Sequence, residues 1–189
     1  MKMTQTESPA QLRALALAAG KQHRAGIRLL ERHGAFDRGA RRDLRKQLAR
    51  LCRSAGVSRD DSEPAYRIID LISPGRGDAT AAERATEVRR VYRELRRSQV
   101  HPMILALASI ADDSISHAVK DRAATARRPR SGGVARGYSL TVVGEDVSGF
   151  MLGYETGQKL GGTAHGIYLG ISGAYHYSKW AVGERLPLF

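Results

Sequence analysis

Near the end of the chain stand the side chains best suited to moving protons: Glu155, His165, Tyr168, Tyr175, His176, Tyr177 and Lys179. A histidine beside a carboxylate and a tyrosine or lysine has the parts for metal-free RNA cleavage by general acid–base chemistry. Read as strands, this stretch gives His165, Tyr175, Tyr177 and Lys179 a common parity within their own strands, and likewise Tyr168 and His176. The catalytic candidates of a small, toxin-like, metal-independent ribonuclease are therefore Glu155, His165, Tyr168, His176 and Lys179. Only a fold-level analogy joins them. Aromatic residues and histidines also simply pack well across a sheet, and that plainer reading is preferred.

Asp113, His117 and Asp121, with Asp112 adjacent, fall four residues apart and could face one way on a helix. The first and last carboxylates of such a row stand about 12 Å apart along the axis, too far to converge on one ion. Pairing with Arg122 or with the arginines at 127–130 suits them better, so no metal and no cofactor is expected. Cys52, the single cysteine, excludes an internal disulfide framework and sits at an apolar position of a helix. No phosphate loop, dinucleotide fingerprint, serine elbow or zinc spacing occurs.

The arginines carry a different chemistry. Residues 1–133 hold 27 Lys and Arg against 15 Asp and Glu, whereas 134–189 hold 4 against 4, so the whole net charge of +12 belongs to the first part. Arg38, Arg41, Arg42, Arg45 and Lys46 would form one basic helix face, and Arg89, Arg90, Arg93, Arg96 and Arg97 a second. Guanidinium groups on a rigid helix release counterions from a phosphate backbone without reading bases. Nucleic acid or another polyanion, such as anionic membrane or an acidic protein, is the expected partner. Carboxylates at helical spacing, among them Asp43, Glu87 and Glu94, are the competing partners of these arginines.

Five helices should position those faces. Ser8-Pro9 opens the first, with Leu12, Leu15, Ala16, Ala19, His23, Ile27 and Leu30 on one stripe and His33-Gly34 as its stop. Asp37 caps a second that buries Leu44, Leu48, Leu51 and Cys52 and ends at Gly56. Ser62-Glu-Pro opens a third, with Tyr66, Ile69 and Ile72 inward. Asp78, or Thr80 with Glu83 as a capping box, starts a fourth. A fifth runs from Met103 to Ala126.

From Tyr138 onward two periods compete. Gly149, Gly153, Gly157 and Gly161 recur every four residues, and Gly162, Gly166 and Gly170 repeat the spacing one residue out of phase. On a helix this lines glycines along one face, as in close-packed helix pairs. Alternation favours strands instead: His165, Ile167, Leu169 and Ile171 alternate with Gly166, Tyr168, Gly170 and Ser172, and Phe150, Leu152 and Tyr154 behave alike. Interior helical glycines also cost roughly 1 kcal/mol each. The expected fold is thus α+β, with a basic helical bundle over 1–126, a hinge at 127–137 and a Gly-rich four-stranded antiparallel meander over 138–189. Strands fall near 137–143, 149–156, 163–171 and 174–182, and the first or fifth helix should fill their glycine surface.

The resulting reading is a non-enzymatic nucleic-acid-binding or assembly protein that oligomerises or packs through its sheet. The ribonuclease is one alternative. Another is a membrane-active protein with a glycine-zipper hairpin over 145–182. No run of about 18 uncharged apolar residues exists, so an integral membrane protein is not expected. Met1 to Ser8 lacks the basic-then-apolar layout of a secretory signal, which points to the cytoplasm unless a specialised secretion system reads a polar leader.

Overall fold

Caps and apolar stripes define the helices of the N-terminal part. The computed structural model describes residues 8–31, 43–73, 80–126 and 140–181. Ser8 accepts from the Gln11 amide while its own N–H donates to Gln11 Oε1, so α1 (Pro9–Glu31) begins at the expected signal. The cap of α2 (Leu44–Ala55) is Asp43 rather than Asp37, and Gly56 closes it with φ of 66°. Asp37, the His33-Gly34 stop, Arg38, Arg41 and Arg42 lie outside the described residues. Ser58 starts α3 (Arg59–Ile72) one turn earlier than Ser62, and Ala65, Ile68, Ile69 and Ile72 are its buried side. Thr80 and Glu83 form the capping box of α4 (Ala81–Leu95).

Helix α5 (Pro102–Ala126) is the axis of the molecule. Met103 to Ala111 are all buried, because this stretch is apolar or small on every side, as a helix surrounded by others must be. It packs against α1, α3, α4 and α6. Its contact with α1 is close enough that a Cβ on Gly20 would strike the Ser109 backbone carbonyl.

The expected meander is not formed. Residues 140–181 make α6 (Leu140–Ala181), two helical arms joined where Gly161 and Gly162 leave helical geometry. Among the described residues there is no strand, so the α+β class and the antiparallel sheet give way to an all-helical fold. Burial follows the helical period: Phe150 and Tyr154 are buried with Leu152 only half so, and Ile167, Ile171 and Ala174 are buried while His165 is exposed. The glycines sit where the arms cross. A Cβ on Gly149 would meet the Gly173 carbonyl, one on Gly153 the Leu169 carbonyl, and one on Gly157 the His165 carbonyl. The surface expected to receive α1 or α5 is filled by the hairpin's own second arm. Contact of two backbones along three turns offsets the intrinsic helical cost of the glycines, through dispersion and Cα–H···O contacts that larger residues would prevent.

The hinge at 127–137 lies outside the described residues, while α6 itself packs on α1, α2, α3 and α5.

Candidate functional site

The hairpin is the most unusual feature of the molecule. Its arms, 140–160 and 163–181, are each roughly 30 Å long at 1.5 Å per residue. Their glycine contacts are symmetric about Gly161, so one register satisfies the whole zipper. Rings close the outer flank: a Cβ on Gly170 would lie 2.6 Å from the Phe150 ring, and one on Gly166 would lie 3.0 Å from that of Tyr154. Phe150 and Tyr154 themselves stack at 6.0 Å. At the tip, Gly162 has φ of 80°, a left-handed conformation that glycine adopts without penalty.

A polar stripe runs down the first arm. Glu145, Ser148, Leu152, Glu155 and Lys159 follow at intervals of three and four, which places them on one face away from the zipper. Helix α2 covers that face as far as Glu155 and leaves Lys159 exposed. Leu44 lies against Gly144, Ser148 Oγ donates to Gln47 Oε1 at 2.9 Å, and Arg50 pairs with Glu155 at 3.2 Å. Lys159 holds the other Glu155 oxygen at 3.2 Å. On the α5 side the buried Ser114 donates to Asp146 at 2.7 Å, and Asp146 is fully buried. Ion pairs and side-chain hydrogen bonds thus fasten an otherwise apolar hairpin into the bundle.

The ribonuclease candidates are not brought together. His165 and Tyr168 are exposed near the tip, Glu155 is engaged by Arg50 and Lys159, and His176 stands half-buried beside Tyr175, ring centroids 5.6 Å apart. Eleven residues separate the two histidines on one helix, roughly 16 Å. Lys179 belongs to the same arm, its side chain outside the described residues. The sheet needed to juxtapose these groups is a hairpin instead. Among the described residues no three His, Cys, Asp or Glu side chains are grouped to hold a metal ion.

The basic faces are divided. Arg45 forms a two-pronged pair with Asp70, at 2.7 and 2.6 Å, and lies over the Tyr66 ring; the Asp70 bond raises its pKa. Lys46 pairs with Asp43 across its own cap. Arg89 reaches Asp112 at 3.4 Å and Ser116 at 2.6 Å. Arg90 bonds both Glu87 and Glu94 at 2.8 Å, and holds the Glu87 carboxyl below its usual range. By contrast Arg93, Arg96 and Arg97 have no carboxylate within 4 Å among the described residues, nor do Arg53 and Arg59. Arg96 lies over the Tyr92 ring at 5.8 Å. Arg13 donates to the carbonyls of Ser98 at 2.9 Å and Arg96 at 2.5 Å, satisfying acceptors beyond the end of α4.

Two features escaped the sequence reading. Arg84 is buried and donates to the Leu71 and Ser73 carbonyls, closing the C-terminal end of α3. Arg53 and Arg59 flank the α2–α3 turn, outside both expected faces, and only their lack of a nearby carboxylate marks them. Cys52 is buried as expected, and burial pushes its thiol up to about 11.

No described helix is long and apolar enough to cross a membrane. Compared with protein-family models, with curated proteins and with solved structures, the chain finds no match in any of the three.

Proposed function

We propose that this is a membrane-active protein whose glycine-zipper hairpin is carried inside a basic helical bundle and engages an anionic bilayer when the bundle opens. The observation that carries the reading is the backbone-to-backbone zipper in α6. In water, leucine or alanine at such an interface would give more apolar burial and better helix propensity. In lipid the hydrophobic drive between helices vanishes, and close approach of small residues is what holds helices together. Arms of roughly 30 Å also match the thickness of a hydrocarbon core.

The charges within the arms set the terms. Glu145, Asp146, Glu155 and Lys159 cannot face lipid, so the first arm does not insert alone. The polar stripe that α2 covers in the bundle would turn to other protein or to a water-filled space. The test is dye release from vesicles of mixed phosphatidylglycerol and phosphatidylcholine. The full chain should release dye and keep its helical circular dichroism. Absence of both vesicle binding and release contradicts the reading.

A second reading keeps the bundle as a polynucleotide binder. It is favoured by the arginines that have no carboxylate partner among the described residues, Arg53, Arg93, Arg96 and Arg97 among them. It requires RNA or DNA affinity that falls steeply with salt and drops in Arg93→Glu/Arg97→Glu. Salt-insensitive or absent binding removes it.

A further inference from the structure

Contacts between helices fix which ends lie together. Leu44 beside Gly144, Gln47 bonded to Ser148 and Arg50 paired with Glu155 make α2 run alongside the first arm in the same direction. The short 56–58 turn and the Arg45–Asp70 pair set α2 antiparallel to α3, which brings the hairpin tip level with the start of α3. Arg13, bonded to the carbonyls of Arg96 and Ser98, brings the beginning of α1 to the same end. Arg67 paired with Glu87, and Arg84 bonded to the Leu71 and Ser73 carbonyls, set α3 antiparallel to α4, so the start of α3 is there too.

One end of the bundle therefore gathers two unlike features. The first is the tip itself: Lys159, Leu160, Gly161 and Gly162 are exposed, Leu160 to 71 %, the most exposed large apolar side chain among the described residues. The second is a set of arginines with no carboxylate partner among the described residues: Arg53 at the end of α2, Arg59 at the start of α3, and Arg93, Arg96 and Arg97 at the end of α4. Asp60 and Asp61 also lie at this end, in the first turn of α3, where a helix N-terminus favours negative charge. Toward the other end Glu145 and Asp146 are buried, and Lys46 is paired with Asp43.

We propose that this end is the membrane-docking face, its arginines taking the phosphates of anionic phospholipids while the tip around Leu160 enters the interface first. The proposal rests on the membrane reading above. Guanidinium forks suit phosphate oxygens, and juxtamembrane cations are drawn to anionic leaflets. An exposed apolar residue at the same end as these cations suits a lipid interface better than a polynucleotide backbone. A tip-first approach also delivers Leu160 to the interface before the bundle opens, while the polar stripe as far as Glu155 remains under α2.

The experiment is vesicle co-sedimentation of the full chain at fixed salt, with and without phosphatidylglycerol, in parallel with filter retention of RNA. Arg53→Glu/Arg97→Glu should weaken binding to anionic vesicles about tenfold or more. Lys46→Glu/Lys120→Glu, matched in charge and toward the opposite end of the bundle, should change it far less. Leu160→Asp should lose vesicle binding while leaving RNA retention as in the parent. Equal losses in the two charge-matched variants, or undiminished vesicle binding by Leu160→Asp, overturn the docking face but leave membrane activity standing. A parent chain that ignores anionic vesicles altogether removes the membrane reading itself.

Discussion

Helices α2 to α4 and the hairpin α6 solve the same packing problem by opposite means. The first three are capped, amphipathic and laced with surface ion pairs: Asp43, Ser58 and Thr80 hold their starts, and leucine, isoleucine and valine fill their inner stripes. The hairpin has a glycine tip and an interface almost without side chains on its axis. An apolar stripe draws its stability from water, whereas a glycine zipper depends on fit. The first kind of helix is therefore bound to the aqueous bundle, and the second can keep its partner in a medium where hydrophobic attraction is lost.

The contrast is most sharply tested by side-chain insertion. Gly153→Leu pushes a branched side chain into the Leu169 carbonyl and should cost about 3 kcal/mol, read as a lower urea midpoint at unchanged slope. Gly144 belongs to the same arm, but a Cβ there meets only Leu44 Cδ1 at 3.7 Å. Gly144→Ala should consequently stabilise, by up to about 1 kcal/mol. Equal effects at the two positions would mean that the zipper is not closed. In the capped helices the corresponding loss is smaller: Thr80→Ala, which removes the capping box, should cost about 1 kcal/mol.

The smallest expected effect is that of pH at the start of α5. His101 Nδ1 accepts the Met103 N–H at 3.2 Å, and burial lowers its pKa from the ordinary 6.5. The unfolded chain takes up this proton more readily than the folded one. His101 thus contributes stability that is present above about pH 6.5 and is lost as pH falls through its lower folded value. His101→Gln should flatten the stability profile just below pH 6.5. An unchanged profile would mean that the imidazole is not neutral in the fold.

Much of the N-terminal architecture was legible because caps and stripes are local signals. Thr80 with Glu83, Gly56, and Leu48 with Leu51 each announce their role within one or two turns. The hairpin was misread because its determinant is not local. Period-two alternation at 165–172 and a run of glycines argue against a helix when only the segment itself is weighed. The compensation comes from the facing arm, and Gly149 is explained only by Gly173. The four-residue glycine spacing was the signal, and strand-like neighbours outweighed it. Charge segregation was real in the sequence, but pairing of Arg45 with Asp70 or Arg50 with Glu155 joins distant segments, so the carboxylate-free arginines could not be told from the paired ones.

On the membrane reading, the hairpin acts on a bilayer only after leaving the cover of α2. Cysteines at Gln47 and Ser148, with Cys52→Ala to remove the native thiol, would tie α2 to the first arm where those side chains now bond at 2.9 Å. Dye release from anionic vesicles should then be blocked in the oxidised protein and restored by reduction. Release at the same rate in both states would contradict the claim.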